Sequence, residues 1–291
     1  TSEEGSSKKR KRGLYTAIVA FMATVVFIVS AGGYLIYKSE RKRAQKDEYT
    51  ALSAITKLKS NQLTQWKKER LSEARFFTRI TPNDVYTNEI LKGNKVAYSR
   101  LQHSLRQIMT EGRYENIFII DSTGKELFKV YNLPTGTFNS EFSAYVKKVY
   151  NKGQIVIRDF YYCTIHKKVH LEILAPVKDE SDIVKAVMVF QIEPSDYIMP
   201  LIQEWPTPRK SAETVIVRKD DRNGVKMVEY MSGLKYRDKK DTIYSVSTDN
   251  PELVSAKAIS GYEGIIEGYD YRGVKVLADI NKVPDTPWYL I

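Results

Sequence analysis

Residues 13–37 carry no charged side chain, and basic clusters stand on both sides: Lys8, Lys9, Arg10, Lys11 and Arg12 before, Lys38, Arg41, Lys42 and Arg43 after. As a helix with a rise of about 1.5 Å per residue, that run reaches about 37 Å, enough to cross a hydrocarbon core of about 30 Å with some tilt. A cleaved secretory signal also starts basic and apolar, and Val29-Ser30-Ala31 offers small residues for cleavage. The apolar run nevertheless continues through Tyr34, Leu35, Ile36 and Tyr37, past the length of a signal core. The pattern reads as a retained membrane anchor followed by water-soluble chain. Five Lys/Arg precede the span and five follow it closely (Lys46 is the fifth), so charge counting leaves the orientation open.

The remaining chain is long enough for one large domain or two ordinary ones. With 42% hydrophobic and 11% aromatic residues it can build true cores. The two flanks of the span supply +5 of the formal +11 charge, which membrane headgroups explain. The rest is spread through mixed-sign segments without a nucleic-acid motif, so no nucleic-acid partner is expected. Cys163 is the only cysteine, which rules out an intrachain disulfide and leaves no Cys/His zinc spacing. Beginning at Thr1 and stopping on Trp288-Tyr289-Leu290-Ile291, the sequence reads as an excerpt from something longer.

Residues 38–80 contain no Gly or Pro, and Leu52, Ile55, Leu58, Trp66, Ala74 and Phe77 recur near helical spacing, predicting a long stalk helix with one apolar stripe. Thr81-Pro82-Asn83-Asp84 stops it, and a second helical stretch breaks at Gly93-Asn94 before resuming. The period then turns strand-like. Residues 116–121 and 126–131 predict a hairpin about Ser122-Thr123-Gly124, a short helix follows at 140–150, and 154–165, 169–177 and 183–192 predict an antiparallel sheet. After a helix at 194–203 and the break Trp205-Pro206-Thr207-Pro208, a second cycle begins. Residues 214–218 and 227–231 flank a turn at 220–224, and 265–269, 274–280 and 288–291 supply further strands. The fold class is therefore α+β.

A membrane span, a stalk helix and two PAS-like sheets in tandem resemble the double Cache (PDC) sensor modules of bacterial and archaeal receptors. The resemblance rests on Asn116-Ile117-Phe118-Ile119-Ile120-Asp121-Ser122-Thr123-Gly124, on Leu171-Glu172-Ile173-Leu174-Ala175-Pro176-Val177, and most specifically on Gly268-Tyr269-Asp270-Tyr271-Arg272-Gly273 with Val283-Pro284-Asp285-Thr286-Pro287-Trp288. Endings of the last kind are similar to those of sensor histidine kinases. The resemblance implies a cytoplasmic basic segment at 1–12, the span at 13–37, the stalk at 38–80, a membrane-distal unit at 81–204 and a membrane-proximal unit at 205–291. Residues 38–291 would then be extracytoplasmic on an inner or cytoplasmic membrane, within a homodimer. The implied activity is signal reception for a sensor histidine kinase, with no enzyme activity in this segment. The alternatives are the sensor module of a chemoreceptor or cyclic-di-GMP enzyme, or a membrane-anchored scaffold without a transmitter. Amino-acid-binding members of the family carry an Arg-x-Trp-Tyr signature that is absent from residues 142–145 and 154–160, which disfavours an amino-acid ligand.

The candidate ligand site is the open face of the distal sheet. Arg158, Asp159, Tyr161, His170 and Glu172 fall in strand candidates, and Tyr145 lies on the preceding helix. Alternation puts His170, Glu172 and Leu174 on one face, with Leu171, Ile173 and Ala175 on the other. An imidazole, a carboxylate, a guanidinium and phenols could hold an unidentified small polar molecule by charge-assisted bonds. The competing reading is ordinary solvent-side pairs on a half-exposed sheet. His166 and His170 are expected not to converge across the turn at 166–168, and the lysines beside them oppose a cation, so no metal or other cofactor is expected. Asp121, Asp270 and Arg272 read as turn residues and Trp288 as a core plug. Nucleophile–base sets, P-loops and metalloprotease motifs are lacking.

Overall fold

The computed structural model describes residues 2–80, 89–90, 93–112, 114–131, 139–206, 209–222, 224–231, 233–237 and 243–291, with side chains from residue 21 onward except at 80, 111, 112 and 222. The predicted helix stop at 81–84 lies outside these residues. Contacts divide the chain into two compact units, residues 1–54 and 55–291. The first unit lies in helix α1 (Ser2–Ile80), whose apolar side chains from Phe21 to Tyr37 are exposed; α1 is long and apolar enough to cross a membrane.

In the second unit, residues 55–80 of α1 and helix α2 (Lys95–Gly112) cover one face of a five-stranded sheet. The strands are β1 (Asn116–Ile120), β2 (Glu126–Lys129), β3 (Val156–Cys163), β4 (Lys168–Lys178) and β5 (Val184–Ile192), in the order β2-β1-β5-β4-β3, every pair antiparallel. Helix α3 (Ser140–Lys152) covers the opposite face. Leu63, Trp66 and Ala74 turn the helical stripe onto the sheet, where Trp66 stacks on Tyr197 and Phe77 packs against Phe190. Burying each large side chain stabilises the fold by about 1.5–3 kcal/mol. Leu58, read as part of that stripe, is exposed instead, because the packed face at this level runs through Thr56, Lys59, Ser60 and Leu63. The break at Gly93-Asn94 stands as read: Gly93 takes φ 78°, and Asn94 Oδ1 accepts from the N–H groups of Val96 and Ala97.

Asp121 closes the β1–β2 hairpin by accepting from the backbone of Thr123 and Lys125. Helix α3 begins at Asn139, whose side chain accepts from Phe142 N at 2.8 Å, and ends at Gly153 with φ 57°. Helix α4 (Pro194–Gln203) follows β5. Lys59 of α1 donates to the carbonyls of Ile202 and, at 2.6 Å, Glu204, so an ammonium meets the negative end of α4. Burial brings Lys59 down to about 8 against the pull of Glu204. Between about 8 and its ordinary 10.5 the unfolded chain holds this proton and the folded chain does not. Stability should therefore rise with pH across that window, and denaturation midpoints of Lys59→Met should lack that rise.

The second sheet contains β6 (Ile216–Arg222), β7 (Val225–Tyr230), β8 (Tyr244–Ser247), β9 (Gly264–Tyr269), β10 (Lys275–Lys282) and β11 (Trp288–Leu290), in the order β8-β7-β6-β11-β10-β9. Helix α5 (Val254–Ile259) packs on it through Val254 and Ala258. Within the turn read at 220–224, Asp220, Asp221 and Arg222 continue β6 as paired strand residues. Strand β8, rich in Ser and Tyr, was not legible as a strand. At Gly268 a Cβ would stand 2.7 Å from the Glu252 carbonyl oxygen, so β9 can lie this close to residue 252 only with glycine there. Asp270 accepts from the N–H of Arg272 and Val274 and pairs with the Arg272 guanidinium, the turn role read for both.

Candidate functional site

Alternation in β4 holds as read. Leu171, Ile173 and Ala175 join the core under α1 and α2, whereas Leu174 joins the one under α3. The α3-facing side is thus apolar along Phe118, Ile120, Val187, Val189 and Leu174, and then changes character. One rung of the sheet, read across β1, β5, β4 and β3 by pairing register, is Asn116, Gln191, Glu172, Arg158. All four are at least 95% buried. Arg158 and Glu172, with the fully buried His170, are therefore not the solvent-side residues of a half-exposed sheet.

The register of β3 slips between Arg158 and Tyr161, so both residues come to the same face although strict alternation would separate them. The Arg158 guanidinium lies 3.6 Å from the Tyr161 ring centroid and 5.5 Å from that of Phe142. It donates to Glu172 Oε2 at 3.3 Å and to Glu141 Oε2 at 3.5 Å. Tyr161 donates to Glu172 Oε1 at 2.6 Å, and Gln191 Nε2 reaches the same oxygen at 3.3 Å. Burial first, then the adjacent Glu172 carboxylate, push the Tyr161 phenol far above its usual value, so it remains a donor. Both polar atoms of the Asn116 carboxamide, Gln191 Oε1 and Arg158 Nε have no hydrogen-bond partner among the described residues. A buried polar atom left without a partner is costly in a core.

His170, fully buried, packs edge-on against Tyr161, meets Gln191 Nε2 through Nδ1 at 3.0 Å, and places Nε2 2.9 Å from Glu115 Oε2. Burial would raise the Glu115 carboxyl, but hydrogen bonds from His170 and Lys168 outweigh it and hold it at about 2. His166 and His170 do converge, contrary to the expectation from the turn between them: their ring centroids are 5.0 Å apart.

The buried rung Asn116–Gln191–Glu172–Arg158 forms the floor beneath a cavity of about 500 Å³ lined by Glu141, Tyr145, Arg158, Asp159, Tyr161 and Tyr162, together with Arg218 and Glu229 of the second sheet. Four of the six predicted residues, Tyr145, Arg158, Asp159 and Tyr161, line it directly; Glu172 and His170 stand behind Arg158 and Tyr161. Asp159 faces the second sheet. It accepts from Trp288 Nε1 at 2.9 Å and pairs with Arg218 at 2.8 Å, and Arg218 is also held by Glu229 at 2.8 Å. Trp288 is buried as read, and its indole N–H gives it this second role. Sequence reading missed Glu141, Gln191, Asn116, Glu115 and Arg218. Gln191 carried a signal, as a polar side chain inside the otherwise apolar run 186–192. A larger cleft of about 800 Å³ lies elsewhere, but its polar border is largely exposed Arg75, Arg79, Lys148 and Lys152.

Comparison with family models and with curated proteins returns no match. Solved structures do match. The sensory domain of the Campylobacter jejuni chemoreceptor Tlp3 superposes with a TM-score of 0.55 at 12% identity, covering 86% of this chain and 94% of that one. The ligand-binding domain of the Pseudomonas fluorescens chemoreceptor CtaA, in complex with L-isoleucine, gives 0.51 at 11% identity, with 86% and 93% covered. That of the Pseudomonas aeruginosa amino acid chemoreceptor PctB, in complex with L-Gln, gives 0.51 at 11%, with 82% and 87% covered. The chain has the double Cache fold. At these identities the likeness speaks for architecture, and the function must be argued from the site.

Proposed function

We propose that this chain is the ligand-sensing part of a transmembrane receptor of the chemoreceptor kind, with residues 38–291 outside the cytoplasm as part of a homodimer. The ligand would be a small molecule carrying an ammonium group, bound in the cavity under α3 of the membrane-distal unit. The observation that carries this reading is the charge balance of the lining. Glu141, Asp159 and Glu229 outnumber Arg158 and Arg218, and both guanidiniums already sit in ion pairs. Glu141 is the most available carboxylate, with its side chain 59% exposed and held by Arg158 only at 3.5 Å. The rings of Tyr145 and Tyr162 in the same lining favour a cation over their faces, as the Tyr161 ring already does for Arg158. L-isoleucine and L-Gln, bound by the matched CtaA and PctB domains, both carry an ammonium group. Absence of the Arg-x-Trp-Tyr signature argues that the carboxylate end, if there is one, is held differently. A ligand so placed would bias the receptor by its difference in affinity for two arrangements of α3 over the sheet.

Calorimetric titration of the full chain in detergent with a panel of amines, amino acids and dicarboxylates tests this. An amine-bearing compound should bind, and Glu141→Gln should weaken it about 10–100-fold, the worth of one hydrogen bond to a charged group. Binding confined to dicarboxylates, or unaffected by Glu141→Gln, would overturn the proposal. A histidine-kinase output is the second reading, favoured by the stretch 268–290 alone; the two outputs differ in what the gene encodes on the cytoplasmic side.

A further inference from the structure

The β3–β4 hairpin ends in three side chains able to ligate a metal, Cys163, His166 and His170, of which only His170 also belongs to the ligand site. Cys163 closes β3, His166 sits in the turn where Lys167 takes φ 55°, and His170 lies two residues into β4. The Cys163 sulfur and one nitrogen from each imidazole all lie within 4.8 Å of one another. Cys163 Sγ is 3.5 Å from His166 Nδ1, and His166 Nε2 is buried with no hydrogen-bond partner among the described residues. We propose that this Cys-x2-His-x3-His cluster binds a borderline-soft divalent cation of the zinc type.

The donor set argues for that class. One thiolate and two imidazoles suit zinc and oppose calcium or magnesium, which take oxygen. A tetrahedral zinc ion with bonds of about 2.0–2.3 Å holds its donors roughly 3.3–3.8 Å apart, so closing the cluster takes side-chain rotation of about 1 Å within the hairpin. Binding converts the Cys163 thiol to thiolate and releases its proton. His170 has the supporting partner that metal-bound histidines usually have. Glu115 stands at its Nε2, so with Nδ1 on the metal in place of the Gln191 amide, the Nε2–H stays held by the carboxylate. A water completes the fourth position. The charge objection raised by the neighbouring lysines weakens here: Lys168 is ion-paired with Glu115 at 2.6 Å and with Glu193, and Lys167 is exposed at the surface of the turn. The proposal is tested apart from the amine reading, since its ligands Cys163 and His166 lie outside the cavity lining and its probe is a metal ion.

Because Cys163 is the only cysteine, sulfur-to-cobalt charge-transfer absorption in the full chain can come from this site alone. Titrating the chelator-treated protein in detergent with Co²⁺ should develop that absorption together with tetrahedral d–d bands, saturating at one equivalent and bleached by Zn²⁺. Cys163→Ala should abolish the charge-transfer band. His166→Ala, at a partly exposed turn position that spares the core, should weaken Co²⁺ binding at least about tenfold, and Glu115→Gln about 10–100-fold. A folded wild-type chain that gives no sulfur-to-cobalt band in excess Co²⁺ would overturn the proposal. So would a band whose titration is unchanged by His166→Ala.

Discussion

Arg158→Ala should lower the stability of the folded domain by about 3–5 kcal/mol, the penalty for stranding one member of a buried ion pair. Arg158 is 5% exposed and Glu172 3%, so neither charge has water to fall back on. With the guanidinium gone, Glu172 keeps Tyr161 and Gln191 as donors, but both are neutral and cannot balance a buried carboxylate. The ring faces of Tyr161 and Phe142 would lose the cation stacked on them as well. The double variant Arg158→Met/Glu172→Leu separates stability from function. Removing both charges together with apolar replacements of similar volume should bring stability back to the native value or above it. The same double variant should still lose ligand binding, because the floor would no longer be polar. Denaturant unfolding of the three proteins in detergent measures the first effect and calorimetry the second. A single variant within about 1 kcal/mol of the parent would mean that water or a neighbour replaces the guanidinium, and that the floor is not the closed polar layer described here.

The parts of this molecule that were legible in sequence are those fixed by local periodicity. Alternation in residues 168–178 separated Leu171, Ile173 and Ala175 from Glu172 and Leu174, and the structure puts them in different cores. Turn chemistry at Asp121 and Asp270 was legible for the same reason, since the side chain bonds its own backbone within four residues. What depends on register between distant strands was not. The rung Asn116–Gln191–Glu172–Arg158 draws one residue from each of four strands, and none announces the others along the chain. The bulge that seats Tyr161 beside Arg158 has no glycine or proline to mark it. The hairpin geometry that brings His166 against His170 and Cys163 likewise turns on one residue in the left-handed region, Lys167, a type that rarely signals it. Leu58 shows the opposite error: the packed face of the helix runs through Thr56, Lys59, Ser60 and Leu63, and Leu58 points away from it.

Trp288→Ala should also cost about 3–5 kcal/mol, as removal of a buried tryptophan does when the cavity cannot collapse. The side chain is 3% exposed, lies 5.1 Å from the Phe160 ring, and joins a core that draws on both sheets, with Ile216, Val283 and Leu290 beside Phe190 and Ile192. Trp288→Phe isolates the polar part. It preserves most of the packing and deletes only the indole N–H that Asp159 accepts at 2.9 Å, a bond to an ionised group worth about 1.5–3 kcal/mol. Asp159 would retain Arg218 at 2.8 Å, and Arg218 is the direct cross-strand neighbour of Trp288 on β6 and β11. The three side chains therefore act as one clasp, whose members should be non-additive: Trp288→Phe combined with Asp159→Asn should cost less than the sum of the two alone. The clasp has a functional position too. Asp159 follows Arg158 on β3 and lines the same cavity, so a ligand that shifts β3 pulls on the second sheet through Trp288 and Arg218. If this is the route, Asp159→Asn should remove the effect of saturating ligand on Trp288 fluorescence, each of the other two tryptophans having been replaced by phenylalanine. A ligand-induced fluorescence change that survives Asp159→Asn would send the signal through α3 and leave the clasp a purely structural joint between the sheets.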